Sequence, residues 1–67
     1  MRQMTVKDFV PQAHKNLTEF GYGGLTEQHV EELANAIQRG EPGRDIISLF
    51  LVSFIGQNDI ELAEASA

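Results

Sequence analysis

A chain of 67 residues with no cysteine and a net charge of −5 is limited to one small domain, held by neither disulfides nor thiolate metal sites. A hydrophobic share of 42% belongs to a folding chain and argues against wholesale disorder. The acidic balance argues against direct contact with DNA, RNA or anionic lipid, because counterion release needs clustered Lys and Arg.

The charge is uneven. Residues 1–24 carry a net of +1 and residues 25–67 a net of −6, so the acidic half could face a basic protein surface. A domain this short buries little apolar surface, which leaves self-association as the remaining source of stability. No signal peptide is read at the start. The longest apolar-rich stretch, Ile46 to Ile55, is far short of the roughly 20 residues that span a bilayer. The default expectation is a cytoplasmic protein with no membrane contact.

Glycines and prolines divide residues 1–67 into three helical segments and a tail, which predicts a single all-α domain, a small bundle of three to four helices. The first segment runs from Thr5 to Phe20. Val6, Phe9, Val10, Ala13, Leu17 and Phe20 fall on one helical face, and Thr5 with Asp8 three residues later resembles a capping box. Pro11 lies inside and predicts a short turn at 5–10, then a helix from 11 to 20. Gly21-Tyr22-Gly23-Gly24 follows. It lacks the lysine of a phosphate loop and reads as a connector, with Tyr22 a candidate contact residue.

The second helix is expected from Thr26 to Arg39. Thr26 suits the N-cap, Leu25 and Val30 form a hydrophobic staple, and Gly40 is placed to stop the helix. Val30, Leu33, Ala34 and Ile37 make its apolar stripe, with Glu31 and Glu32 turned towards water.

The third segment, Asp45 to Ile55, is apolar all round: Ile46, Ile47, Leu49, Phe50, Leu51, Val52, Phe54 and Ile55 cover the whole circumference. Its β-branched and aromatic content would also fit a strand, but no partner strand is evident, so a helix is expected. Such a helix must be covered on more than one side, so it should lie at the centre of the bundle or at a dimer interface. Gly56 is read as its stop. Within a tail at about 57–67, Asn58 is read as the cap of a short turn through Leu62, and the final Ala-Ser-Ala is expected to fray.

No catalytic constellation emerges. Ser48 and Ser53 sit in the apolar segment without a base, and the acids lie on solvent faces. His14 and His29 fall on different helices, too few for a metal site. The chain is therefore expected not to be an enzyme and to need no cofactor. The leading expectation is a non-catalytic protein-binding module (a regulator, adaptor or inhibitor) that forms a homodimer. Ile47, Phe50, Leu51 and Phe54 are the candidates for self-association. Tyr22, Glu27, Glu31 and Glu32 are the candidates for contact with another protein.

Two partial resemblances add alternatives. Gly24-Leu25-Thr26-Glu27-Gln28, followed by Val30 and Leu33, resembles the helix start of small helical domains related to the small subunit of extradiol ring-cleaving dioxygenases. Relatives of that domain serve as leaders of split borosin precursor peptides. The resemblance implies a helical leader bound by a separate methyltransferase and a C-terminal core that is N-methylated. The segment before the glycine is much shorter here than in that pattern. The order of a helix, a glycine turn and two further helices, with Phe20-Gly21-Tyr22 at the turn, resembles ubiquitin-associated three-helix domains. A third alternative, an acidic mimic of nucleic acid, follows from the charge alone.

Overall fold

The computed structural model describes residues 2–63. Thr5 marks its first junction. The Thr5 backbone is extended (φ −71°, ψ 155°) and ends the strand β1 (Arg2–Thr5). Its hydroxyl accepts from the Asp8 N–H at 3.1 Å and starts the helix α1 (Val6–Glu19). α1 runs unbroken through Pro11, in place of the expected turn at 5–10 and helix from 11. Pro11 removes the N–H that would reach the Lys7 carbonyl, but both residues are exposed, so water can solvate that carbonyl. Continuity keeps Val6, Phe9, Val10, Ala13 and Leu17 on one buried face. Burial of each larger side chain contributes roughly 1.5–3 kcal/mol, which together outweighs the ~3 kcal/mol cost of a helical proline.

α1 closes at a left-handed glycine. Gly21 (φ 98°) donates its N–H to the Thr18 carbonyl, and Tyr22 donates to the Leu17 carbonyl at 2.9 Å. His14 Nε2 lies 2.7 Å from the Leu25 carbonyl, and since a carbonyl only accepts, the proton sits on Nε2. That bond ties the connector back to α1. The helix α2 (Glu27–Gln38) then starts at Thr26, whose hydroxyl accepts from the His29 N–H. Past its end the Glu41 N–H reaches the Ala36 carbonyl at 2.8 Å, so the cap that Gly40 suggested is formed.

The helix α3 (Ile46–Gln57) is held at its start by a compact box. The Asp45 carboxylate accepts from the Ser48 N–H at 3.2 Å and from the Ser48 hydroxyl at 2.8 Å. A Cβ at position 43 would stand 2.7 Å from Asp45 Oδ1 and 2.9 Å from Ser48 Oγ, so the box requires Gly43. The Ser48 hydroxyl, and then its N–H, hold the Asp45 carboxyl below its ordinary pKa. A depressed carboxylate contributes stability above its unfolded pKa of about 4 and loses it as the pH falls through the folded value. Thermal melts of the native chain and Asp45→Ala should therefore differ most near neutrality, and the gap should narrow below about pH 4. A gap that stays constant down to about pH 2 would mean the carboxylate charge has no part in the cap.

α3 is a helix, as its length suggested, but Gly56 does not stop it. The chain turns at Asp59, which takes a left-handed conformation (φ 53°) and donates its N–H to the Gly56 carbonyl. Asn58 caps the end of α3 and opens no new turn; its side-chain amide donates to the Phe54 carbonyl at 2.9 Å.

The tail then forms a strand, β2 (Ile60–Ala63), paired in parallel with β1. This overturns the expected all-α bundle: the fold is three helices and a two-stranded parallel sheet, a small α/β-like arrangement. The first rung forms where α3 ends, with the Arg2 N–H on the Asp59 carbonyl at 2.8 Å. Ile60 pairs with Arg2, Glu61 with Gln3, Leu62 with Met4 and Ala63 with Thr5. Alternation turns Ile60 and Leu62 towards the helices and Glu61 outwards, where Gln3 Nε2 donates to its carboxylate at 3.0 Å. The tail is a strand as far as Ala63, in place of the expected short turn, and the final Ala-Ser-Ala expected to fray lies outside the described residues.

The core also differs from the expected layout. α1 supplies Val6, Phe9, Val10, Ala13 and Leu17, α2 supplies Val30 and Ala34, α3 only Leu51, and β2 Ile60. The central helix is therefore α1, and α3 lies to one side of it.

Candidate interaction surface

A helix apolar all round that packs from one side must show apolar side chains on the other. Leu51 and Ser48 of α3 are fully buried, which fixes the direction of the core. Ile46, Leu49 and Val52 point away from it and are 64%, 58% and 42% exposed. Phe20, just past α1, is 66% exposed and lies edge-on to Phe50 with ring centroids 5.2 Å apart. Large apolar side chains this exposed, gathered mainly on one short helix, are the outstanding surface feature of the described residues.

The four side chains expected to mediate self-association are divided by the fold. Leu51 lies in the chain's own core, with no surface left for a partner, and is withdrawn from that set. Ile47, Phe50 and Phe54 are half-buried on the flank of α3; Phe54 meets Phe9 edge-on at 5.9 Å and Phe50 meets Tyr22 at 6.3 Å. Ile46, Leu49, Val52 and Phe20 were not singled out from the sequence. Finding them requires knowing which way α3 faces the core, and its two serines mislead, because Ser48 points inwards and Ser53 outwards.

Beside the exposed face, Phe20, Phe50, Ser53, Phe54 and Gln57 enclose an apolar notch of about 200 Å³. Four of these residues stand at i, i+3, i+4 and i+7 on α3, the outline into which a side chain of an opposing helix inserts. Small Ser53 leaves the notch open.

The other candidates lie apart from this face. Tyr22 is half-buried against Phe50 and the core, so it acts as packing for the aromatic cluster. Glu27, Glu31 and Glu32 are exposed on α2. Glu27 and Glu31 border a crevice of about 360 Å³ shared with Lys7, Val10 and Pro11, and Glu32 stands 3.9 Å from His29 Nδ1. A depression of about 620 Å³ runs beside β1 and is open and lined mostly by polar side chains such as Arg2, Gln3, Asp8 and Gln12.

Among the described residues no three His, Cys, Asp or Glu side chains gather to hold a metal ion, and no helix is long and apolar enough to cross a membrane. What the arrangement offers chemically is apolar burial with a shaped recess. No known family model, curated protein or solved structure matches the chain.

Proposed function

We propose that the chain is a small acidic, non-catalytic protein-binding module, a regulator, adaptor or inhibitor, that works through helix–helix contacts on α3 and self-associates as a homodimer in the cytoplasm. The observation that carries this reading is the exposed apolar face of Ile46, Leu49 and Val52 with Phe20 beside it, on a chain with a net charge of −5. Covering such a face contributes about 25 cal/mol for each Å² removed from water, and nothing within the described residues covers it. The exposed acids Glu27, Glu31 and Glu32 would give a basic partner a second point of contact.

Sedimentation equilibrium from about 1 µM to about 1 mM tests the reading, since a modest helix contact falls in that range. The native chain should self-associate, and Leu49→Asp should be monomeric with an unchanged far-UV spectrum and melting temperature. A native chain that remains monomeric throughout, or a Leu49→Asp chain that associates equally well, would sink it.

A further inference from the structure

The exposed face of α3 holds both halves of one contact. The notch bounded by Phe50, Ser53, Phe54 and Gln57 is a recess for a single aliphatic side chain, and Ile46, 64% exposed, projects from the adjoining exposed face seven residues before Ser53. A two-fold interface requires that if residue i meets residue j, then j meets i. Two α3 helices laid antiparallel meet that condition: when Ile46 of one copy faces Ser53 of the other, Ser53 of the first faces Ile46 of the second. Both notches fill together, and the symmetry axis passes close to Leu49 and Phe50. Parallel packing would set Ile46 against Ile46 and leave two recesses facing each other.

Resting on the reading of α3 as a binding face, the geometry points to a specific occupant: a second copy of this chain, its α3 antiparallel to the first, with each Ile46 seated in the other's Phe50–Ser53–Phe54–Gln57 notch under the exposed Phe20. Charge favours the same occupant. Ile46–Gln57 contains no charged residue, so two copies of net charge −5 meet on a neutral strip, and the antiparallel arrangement opposes the helix dipoles. A 12-residue helix is only ~18 Å long, which is short for a standard interface of about 800 Å² per partner, so a micromolar dissociation constant is expected.

The absence of native cysteine makes disulfide trapping direct. In the antiparallel pair Ile46 lies opposite Ser53, while like positions 46 and 46, or 53 and 53, are offset by roughly 10 Å along the axis. An equimolar mixture of Ile46→Cys and Ser53→Cys should form the mixed disulfide in preference to either homodimer, and Leu49→Cys should cross-link to itself. In sedimentation Ile46→Asp should weaken the dimer by about tenfold or more, as loss of an anchoring side chain does. Val52→Asp, on the far flank of the helix, should weaken it by less than about threefold. Both replaced side chains are exposed, so the fold should survive in each. Homodimeric disulfides of Ile46→Cys and Ser53→Cys, or equal weakening by the two aspartates, would overturn the antiparallel notch contact while leaving α3 as the binding face. A native chain without self-association would overturn both.

Discussion

Leu51→Ala is expected to unfold most of the protein, whereas Leu49→Ala, two residues earlier on the same helix, should leave its stability almost unchanged. Leu51 is fully buried and is the only large apolar side chain that α3 places wholly inside the core. Removing a buried leucine's methyl groups costs about 2–5 kcal/mol, the transfer free energy of the lost atoms plus the cavity they leave. A chain of this size has a total stability of roughly 3–10 kcal/mol, towards the low end for a single small core, so the loss is comparable with the whole. Leu49 is 58% exposed, and in dilute solution its truncation should shift the free energy of unfolding by no more than about 0.5 kcal/mol. Guanidinium unfolding at low micromolar concentration followed by circular dichroism distinguishes the two. The opposite ranking would require α3 to be turned by about half a revolution and would remove the exposed face altogether.

That pair of leucines also shows where the sequence stops informing. α2 was legible throughout, because its cap, staple, stripe and glycine stop all lie within sixteen consecutive positions and rest on local chemistry. The cap of α1 and its buried face as far as Leu17 were legible for the same reason, whereas Phe20, expected on that face, falls past the helix end and is exposed. The break expected at Pro11 was a local penalty, overridden by tertiary burial of Phe9, Val10, Ala13 and Leu17 along one continuous face. α3 could be read as a helix but not oriented, since an apolar ring of residues carries no phase. Its inward polar residue, Ser48, is satisfied by Asp45 three residues before it, and such a local hydrogen bond makes a buried hydroxyl tolerable without marking it as buried in the sequence. The apolar patch was therefore anticipated as a consequence of too few covering helices, but of the four side chains named for it Leu51 lies in the core, and the exposed Ile46, Leu49 and Val52 were passed over.

The sheet was the least legible element. Arg2-Gln3-Met4-Thr5 has little β-branched content, and Ile60-Glu61-Leu62-Ala63 is short enough to pass for a turn. What makes them strands is their pairing across 58 residues of chain, brought about by helices that return the two ends to the same place. The left-handed turn at Asp59 directs β2 alongside β1, and a non-glycine residue in that conformation is not apparent from its identity alone.

Ile60 joins that sheet to the core, and its replacement by alanine should be the second most damaging of the changes considered. It is 7% exposed, sits in the same cluster as Phe9 and Leu17, and pairs with Arg2 at the rung where the sheet begins. Ile→Ala at such a position costs about 2–5 kcal/mol, towards the lower end here because the site lies at the edge of the core and can partly collapse. Four-residue strands in a two-stranded sheet have little stability of their own, so loss of the Ile60 contact should also release β1. Native-state hydrogen exchange would detect this: in Ile60→Ala the β1–β2 amides should exchange well ahead of those in α1, while Glu61→Ala, which removes only an exposed contact to Gln3, should leave the sheet protected. If both variants exchange alike and melt at the native temperature, β2 contributes no stability and the fold reduces energetically to its three helices. If Ile60→Ala loses the sheet and α3 together, the C-terminal strand is what fixes α3 against α1 and thereby sets which of its faces is left exposed.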